Sequence, residues 1–302
     1  MGTQCHVIIA GGGSVSDDLL ELARTRIDLL EQSWSRFRPG SELSRLNAAA
    51  GCGPLAVSAD LLLLAQRMRE AWMATDGLFD PTVLTTMRAH GYDTDFATVA
   101  MRSTGCLDDV RLAAAPGMSA VRIDEASSTI ALPRGAGLDP GAIGKGLAAD
   151  IVADELHAAG AQGVLVNLGG DIALAGEPAD GTLWTIDVED ERATTGASRE
   201  VLRPLVLGTV PGGVATSTTL KRRWAQGRRH HVLDPRTGTM SSSDLVQVTV
   251  IAPTACTAEW SATAALLQPL DAASAWLRER GLEAILLTAD RTVRLEGVSS
   301  HG

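Results

Sequence analysis

Near the end of the chain, two residues carry oxygen atoms of the kind that a hard divalent cation prefers. Glu259 and Thr263 are four positions apart in TACTAEWSATAALL, where the pattern predicts a helix over residues 255–268. Side chains at this spacing share one face of a helix. Together with a nearby backbone carbonyl, a carboxylate and a hydroxyl suit Mg²⁺, and water and substrate phosphate would complete its octahedron. The alternative interpretation is an exposed glutamate and a helix-internal threonine without a ligand.

A pair of histidines supplies a group that could move a proton near neutral pH. His230 and His231 precede LDPRTG, and we predict a strand over residues 229–233 followed by a turn at 234–238. Adjacent side chains on a strand face opposite sides, so one of the two histidines can face a given pocket. A histidine there could accept the proton of a hydroxyl group. Two surface histidines beside an arginine pair are the alternative.

The central stretch, residues 135–171, has the pattern of a glycine-rich loop, a helix and a strand. Asp139 is a suitable N-cap and Pro140 suits the first helical position. If the helix starts there, Asp139, Ala142 and Lys145 lie close together on its first two turns. The free N–H groups of a helix start attract phosphate. The alternative is a capped core helix with an exposed lysine.

The remaining elements predict an α+β fold. Helices and strands alternate irregularly, which does not fit a doubly wound sheet, and the GxGxxG fingerprint of a Rossmann unit is absent. Residues 84–117 are the least regular part and could hold a helix or a flap. We predict helices at 16–35, 59–77, 140–159, 255–268 and 271–280, and strands at 5–10, 121–123, 129–132, 163–168, 183–188, 205–207, 214–216, 229–233, 245–252, 283–288 and 292–295.

Composition and charge exclude several classes of protein. The chain has 302 residues, 45% of them hydrophobic, which suits one large domain or two fused subdomains. A formal net charge of −10 argues against a nucleic-acid surface, which would need a basic face. The N-terminus lacks the pattern of a signal peptide, and no apolar run reaches about 18 residues. We therefore expect no membrane span and a cytoplasmic location.

Six sequence blocks resemble the motifs of the FAD:protein FMN transferase family, which is known as ApbE. The blocks follow the family's order and cover most of the chain, so together they are much more specific than any one of them. The central block is LDPGAIGKGLAAD followed by VNLGGDI. The others are SRFRPGSELSRLN at 35–47, TDGLFDPTV at 75–83, VATST at 214–218, HHVLDPRTG at 230–238 and VTVIAPTACTAEWSATA at 248–264.

The resemblance implies a fold and a flavin site. The fold would be a compact, ApbE-like α+β fold related to T-folds, with mixed sheets, packed helices and no Rossmann unit. It would form one transferase domain over residues 1–302, which could consist of two tightly fused subdomains. For Leu78 and Phe79, simple core packing is the alternative. The residues that match the family's flavin contacts are Phe37, Leu78, Phe79, Asp80, Asp139, Lys145 and Leu233.

The resemblance also implies a metal site and a reaction. The carbonyl of Ala142 would bind Mg²⁺ with Glu259 and Thr263, and His231 would be the general base. The family usually has Asp where this chain has Glu259, and the extra methylene would move the ion or require a bridging water. A Thr or Ser hydroxyl of an acceptor flavoprotein with an FMN-binding domain would attack the phosphorus on the riboflavin side of FAD. Mg²⁺ would offset the diphosphate charge, and AMP would leave.

Two other functions remain open on the sequence. An FAD pyrophosphatase would use water as the nucleophile at the same metal and give FMN and AMP. Incubation with FAD and Mg²⁺ but no acceptor protein would release AMP only from such a hydrolase. The other function is a non-catalytic FAD-binding or flavin-trafficking protein, which would gain support if Glu259 could not hold a metal.

Overall fold

The chain divides into two compact units, each assembled from separate stretches of sequence. The first consists mainly of Asp28–Gly144 and Lys221–Ser242, and the second of Thr3–Ile27, Lys145–Leu220 and Ser243–Gly302. Whether they act as one transferase domain over residues 1–302 stays a prediction. The computed structural model describes residues 3–11, 16–102, 114–178, 181–192, 201–207, 212–290 and 292–297.

Helices and strands are both abundant in the described residues. The helices are α1 (Ser16–Trp34), α2 (Glu42–Ala48), α3 (Ala59–Ala74), α4 (Leu84–Ala89), α5 (Phe96–Met101), α6 (Gly144–Ala158), α7 (Ala255–Leu266) and α8 (Leu270–Glu279). The strands are β1 (Cys5–Ala10), β2 (Leu55–Ala56), β3 (Arg122–Asp124), β4 (Thr129–Ala131), β5 (Gly163–Leu168), β6 (Asp171–Gly176), β7 (Trp184–Glu189), β8 (Val201–Leu207), β9 (Gly212–Thr218), β10 (Arg223–Trp224), β11 (Arg229–His230), β12 (Leu233–Asp234), β13 (Thr239–Met240), β14 (Leu245–Ala252), β15 (Glu283–Thr288) and β16 (Val293–Glu296). None of these helices combines the length and the hydropathy that crossing a membrane requires.

The second unit is built on a sheet of antiparallel neighbours in the order β1-β5-β6-β9-β14-β15-β16. The β7–β8 hairpin covers one face, because alternate residues of β7 are apolar and buried against the sheet. Val214 of β9 belongs to the same apolar core as these buried residues of β7. Its neighbour Gly213 faces the other side of the sheet, where an added Cβ atom would lie 2.0 Å from the backbone nitrogen of Ala255. Helix α7 therefore packs closely on the opposite face of the sheet.

The first unit combines short helices with small sheets. The sheet β2-β4-β3 lies beside α3, and the pairs β10–β11 and β12–β13 are separate hairpins. Ser58 caps α3 by accepting a hydrogen bond from the backbone N–H of Leu61, as predicted. A hydrophobic core cluster in this unit contains Met87, Tyr92, Val99, Trp224, Ala225 and Leu233.

The start of the central helix differs from the prediction. Helix α6 begins at Gly144, and residues 141–143 form a turn in which Gly144 donates its N–H to Pro140. Oδ1 of Asp139 accepts a hydrogen bond of 2.9 Å from the N–H of Gly141. An aspartate side chain that binds the N–H two residues on stabilises a turn in place of a helix. Asp139 therefore caps this turn and not α6.

Candidate functional site

One ammonium group and two carboxylates form a cluster in the second unit. Nζ of Lys145 contacts a carboxylate oxygen of Asp171 and lies 2.5 Å from Oε1 of Glu259. The N–H of Gly146 donates to Oε2 of Glu259 at 2.8 Å. Both carboxylate side chains are 3% exposed, and the lysine side chain is 19% exposed. The alternatives of an exposed lysine and an exposed glutamate are therefore wrong.

Close contact between α6 and α7 positions Lys145 and Glu259. The carboxylate of Asp150 on α6 accepts hydrogen bonds of 2.8 Å from the first two N–H groups of α7. It thereby caps that helix from outside and complements its positive end. A Cβ atom at Gly146 would lie 2.4 Å from the carbonyl oxygen of Ala255. The glycine after the lysine is thus required for the two helices to meet at this distance.

We expect Gly146→Ala to lower the free energy of unfolding by about 1–3 kcal/mol, the usual cost of inserting an atom into a packed interior. Chemical denaturation would measure it. The matched control is Gly40→Ala, where a Cβ atom would have no heavy atom within 4 Å. We expect Gly40→Ala to alter the free energy of unfolding by no more than about 0.5 kcal/mol. Equal effects of the two substitutions would contradict a tight contact between α6 and α7.

Asp171 is positioned by a tight hairpin between β5 and β6. Leu168 pairs with Asp171, and the two connecting residues, Gly169 and Gly170, have φ values of 71° and 99°. A two-residue hairpin with positive φ at both positions favours glycine at each. Oδ1 of Asn167 also accepts a hydrogen bond from the N–H of Gly170. Neither β6 nor a role for Asp171 was predicted from the sequence, although the paired glycines were a usable hairpin signal.

Burial and neighbouring charges change the acidity of this cluster. Desolvation by burial, with the charge of Asp171 added, raises the pKa of Glu259 to about 8 against the opposing effect of Lys145. Burial alone would lower the pKa of Lys145, but the charges of the two carboxylates outweigh it and raise that pKa. When all three groups are ionised, the cluster has one negative charge in excess. Such an environment favours an additional cation.

The oxygen atoms of Glu259 and Thr263 are of the chemical type that binds a magnesium ion. Thr263 lies one turn further along α7, and its hydroxyl is 2.9 Å from the hydroxyl of Ser217 on β9. Carboxylate and hydroxyl oxygens are ligands that Mg²⁺ accepts together with water and phosphate. Across the residues that the structure describes, no three His, Cys, Asp or Glu side chains are grouped to hold a metal. An ion here would therefore need ligands from water or substrate. Ala142 belongs to the first unit, and its role as a ligand stays a prediction.

The two histidines of the first unit have different environments. The continuous strand predicted here is wrong, because β11 ends at His230 and β12 begins after Val232. The N–H of Val232 instead donates to Nδ1 of His230 at 3.3 Å. Burial, followed by the charge of Arg223, lowers the pKa of His230 and so favours its neutral form. His230 is buried and His231 is half-buried, and the role of His231 as the base stays a prediction.

An aromatic cluster in the first unit surrounds Arg36. The ring of Tyr92 lies 5.9 Å from that of Phe37 and 5.4 Å from that of Trp224, measured between centroids. The guanidinium carbon of Arg36 is 4.2 Å from the ring centre of Phe37 and 4.4 Å from that of Tyr92. Phe37 is 39% exposed. It therefore presents a fixed aromatic surface of the kind that stacks on a planar ligand. Neither Arg36 nor Tyr92 was predicted from the sequence as a site residue.

Two predicted flavin contacts, Asp139 and Asp80, are buried carboxylates that bind protein groups. Oδ1 of Asp139 lies 3.3 Å from Nε of Arg36. Oδ1 of Asp80 accepts hydrogen bonds from the N–H and the hydroxyl of Thr82, and burial raises the pKa of Asp80 against their effect. Both aspartates thus fix local backbone. Phe79 and Leu233 are also buried and Leu78 is half-buried; a flavin contact for any of these five residues stays a prediction.

Comparisons with known proteins agree on one family. A model of the ApbE family matches residues 1–286 of the chain. The FAD:protein FMN transferase of Vibrio cholerae is 29% identical over 269 residues, covering 87% of this chain and 78% of that protein. The protein of the same name from Klebsiella pneumoniae is 31% identical over 269 residues, covering 85% and 78%.

Solved structures show the same fold. The ApbE protein of Thermotoga maritima has a TM-score of 0.84 at 22% identity, covering 98% of this chain and 94% of that one. The flavin transferase ApbE of Vibrio cholerae has a TM-score of 0.81 at 23% identity, covering 99% and 95%. The predicted α+β fold without a Rossmann unit is confirmed.

Proposed function

The chain belongs to the ApbE family, and on that premise we propose that it transfers the FMN part of FAD to an acceptor protein. The observation that carries the proposal is the cluster of Lys145, Asp171 and Glu259, with Thr263 one turn further along α7. Its residues come from the central and C-terminal motif blocks. A buried cluster that has hard oxygen atoms, and an excess of negative charge when Glu259 is ionised, suits a divalent cation that accompanies a diphosphate.

We propose Mg²⁺ as that cation. Glu259 and Thr263 would hold it, and the carbonyl of Ala142 would be the third protein ligand that the family resemblance implies. Bound Mg²⁺ would offset the negative charge of the FAD diphosphate. The raised pKa of Glu259 supports this role, because a carboxylate that is costly to ionise even beside Lys145 would be stabilised by a further cation.

The reacting groups have separate roles in the proposed transfer. His231 would accept the proton of a Thr or Ser hydroxyl on the acceptor, and that oxygen would form a bond to the phosphorus on the riboflavin side of FAD. The bond between this phosphorus and the bridging oxygen of the diphosphate would break, and AMP would leave with the electron pair. Phe37 would stack on the flavin ring. The product would be FMN joined to the acceptor by a phosphoester.

In-gel flavin fluorescence tests this proposal directly. The protein is incubated with FAD, Mg²⁺ and a candidate acceptor that has an FMN-binding domain, and the mixture is then denatured and separated. We expect fluorescence at the mass of the acceptor and release of AMP in equal amount. Release of AMP without an acceptor would favour the pyrophosphatase, and FAD binding without either product would favour a flavin-trafficking protein.

FAD is expected to bind at least about tenfold more tightly than riboflavin, a difference of about 1.4 kcal/mol. The diphosphate would add contacts with Lys145 and the cation that riboflavin cannot make. Fluorescence titrations with FAD, FMN and riboflavin in the presence of Mg²⁺ would measure this. Phe37→Leu is the control. It should weaken the binding of all three ligands by a similar factor, since the ring of Phe37 would contact the flavin ring that they share. Equal affinities for FAD and riboflavin would contradict a site that binds both halves of FAD.

A further inference from the structure

Lysine is rare in this chain, and one of its two lysines is in the carboxylate cluster. Among 26 lysine and arginine residues, the lysines are Lys145 and Lys221. A guanidinium is planar and forms bidentate pairs, whereas an ammonium group is a compact, strongly hydrated point charge. The position that pairs with both Asp171 and Glu259 thus carries the basic side chain that most resembles a small metal cation.

The two oxygen atoms of Glu259 are both engaged in the structure. Oε1 lies 2.5 Å from the ammonium nitrogen of Lys145, and Oε2 accepts the N–H of Gly146. A divalent ion on Oε1 would lie within a few ångströms of the ammonium group, and two cations at that separation in a buried site repel each other. The ion and the ammonium group therefore compete for the same oxygen atom.

We propose that Lys145 is a built-in counter-ion, which holds Asp171 and Glu259 while no divalent cation is bound and which Mg²⁺ displaces from Glu259. The inference rests on the proposed function, because it takes Glu259 as a ligand of Mg²⁺. Asp171 has a distinct role, since its carboxylate keeps the displaced ammonium group within the cluster. The displaced charge is then available to an anion such as the diphosphate of FAD. Because Mg²⁺ must displace Lys145 from Glu259 in order to bind, this contact lowers the apparent affinity of the unchanged protein for Mg²⁺.

Isothermal titration calorimetry with Mg²⁺ and no flavin tests this competition. We expect Lys145→Met to bind Mg²⁺ at least about tenfold more tightly than the unchanged protein, which corresponds to about 1.4 kcal/mol. Lys145→Arg keeps the charge and should bind no more tightly than the unchanged protein. If Lys145→Met binds equally or more weakly while the unchanged protein binds, the counter-ion role is overturned and the metal site stands. If none of the three proteins binds Mg²⁺, the metal site of the proposed function fails as well.

A second measurement uses the unchanged protein, because Lys145→Met leaves two buried carboxylates without their cation. An amine-acylating reagent is applied with and without saturating Mg²⁺, and the labelled peptides are quantified by mass spectrometry. Lys221 is exposed and serves as the internal reference. We expect Mg²⁺ to raise labelling of Lys145 relative to Lys221 several-fold. An unchanged ratio in a protein that binds Mg²⁺ would overturn the displacement.

Discussion

Replacing His231 with alanine is expected to lower FMN transfer about 10²–10⁴-fold, the usual contribution of a general base, while FAD binding is largely kept. The proposed reaction needs a group that accepts the proton of the acceptor hydroxyl as the new bond to phosphorus forms. His231 is half-buried, so its ring is partly shielded from solvent and can still be reached by the hydroxyl of an acceptor. Transfer rates under saturating FAD and a fluorescence titration of FAD binding would separate loss of chemistry from loss of binding.

His230→Ala is the matched control, because the two histidines are adjacent and differ in environment. His230 is 7% exposed, and its Nδ1 accepts the N–H of Val232. Its removal would leave a buried N–H without that partner, so we expect a loss of stability of about 1–3 kcal/mol and a much smaller loss of transfer per folded molecule. If His230→Ala abolished transfer and His231→Ala did not, the assignment of the base would be off by one residue.

Several elements were predictable because their signals are local. Strands β1, β5 and β14 have the predicted bounds, since each is an apolar run delimited by glycine, proline or polar residues. The end of α6 was also predictable, because Gly160 follows it with a φ of 106°. The start of α6 was not, because the side chain of Asp139 can cap either a helix or a turn, and only the fold decides between them.

The arrangement of the candidate site depends on contacts between distant parts of the sequence. Lys145 and Glu259 are 114 residues apart, and they meet because Gly146 allows α6 to approach α7. Arg36 is held in the aromatic cluster by Tyr92, which is 56 residues away in the sequence. Its guanidinium group contacts both the ring and the backbone carbonyl of that tyrosine. No periodicity within either segment encodes such a pairing. The types of these residues could be read from the sequence, but their partners could not.

Transfer is expected to require Mg²⁺ and to fall to background after chelation with EDTA, with recovery when Mg²⁺ is returned. The reason is electrostatic. Once Glu259 is ionised, the carboxylates of Asp171 and Glu259 carry one more charge than the ammonium group of Lys145, so the cluster would repel a diphosphate unless a cation is bound. Apparent Mg²⁺ affinity should also depend on pH. Burial raises the pKa of Glu259 to about 8, and a proton must leave before a metal binds. The affinity should therefore rise up to about tenfold per pH unit below 8 and level off above it.

Substitutions at Glu259 test whether this residue is the ligand. Glu259→Gln removes the negative charge and should lower transfer at least about 10²-fold at fixed Mg²⁺, and it should abolish the rise of affinity with pH. Glu259→Asp keeps the charge and introduces the family's usual residue, so we expect it to retain or improve Mg²⁺-dependent transfer. Ser274→Ala, at a buried hydroxyl on α8 that pairs with Glu296, is the control for general destabilisation and should leave Mg²⁺ affinity unchanged. If transfer were indifferent to EDTA and Glu259→Gln bound Mg²⁺ as the unchanged protein does, Glu259 would not be a metal ligand, and the cluster would serve the fold alone.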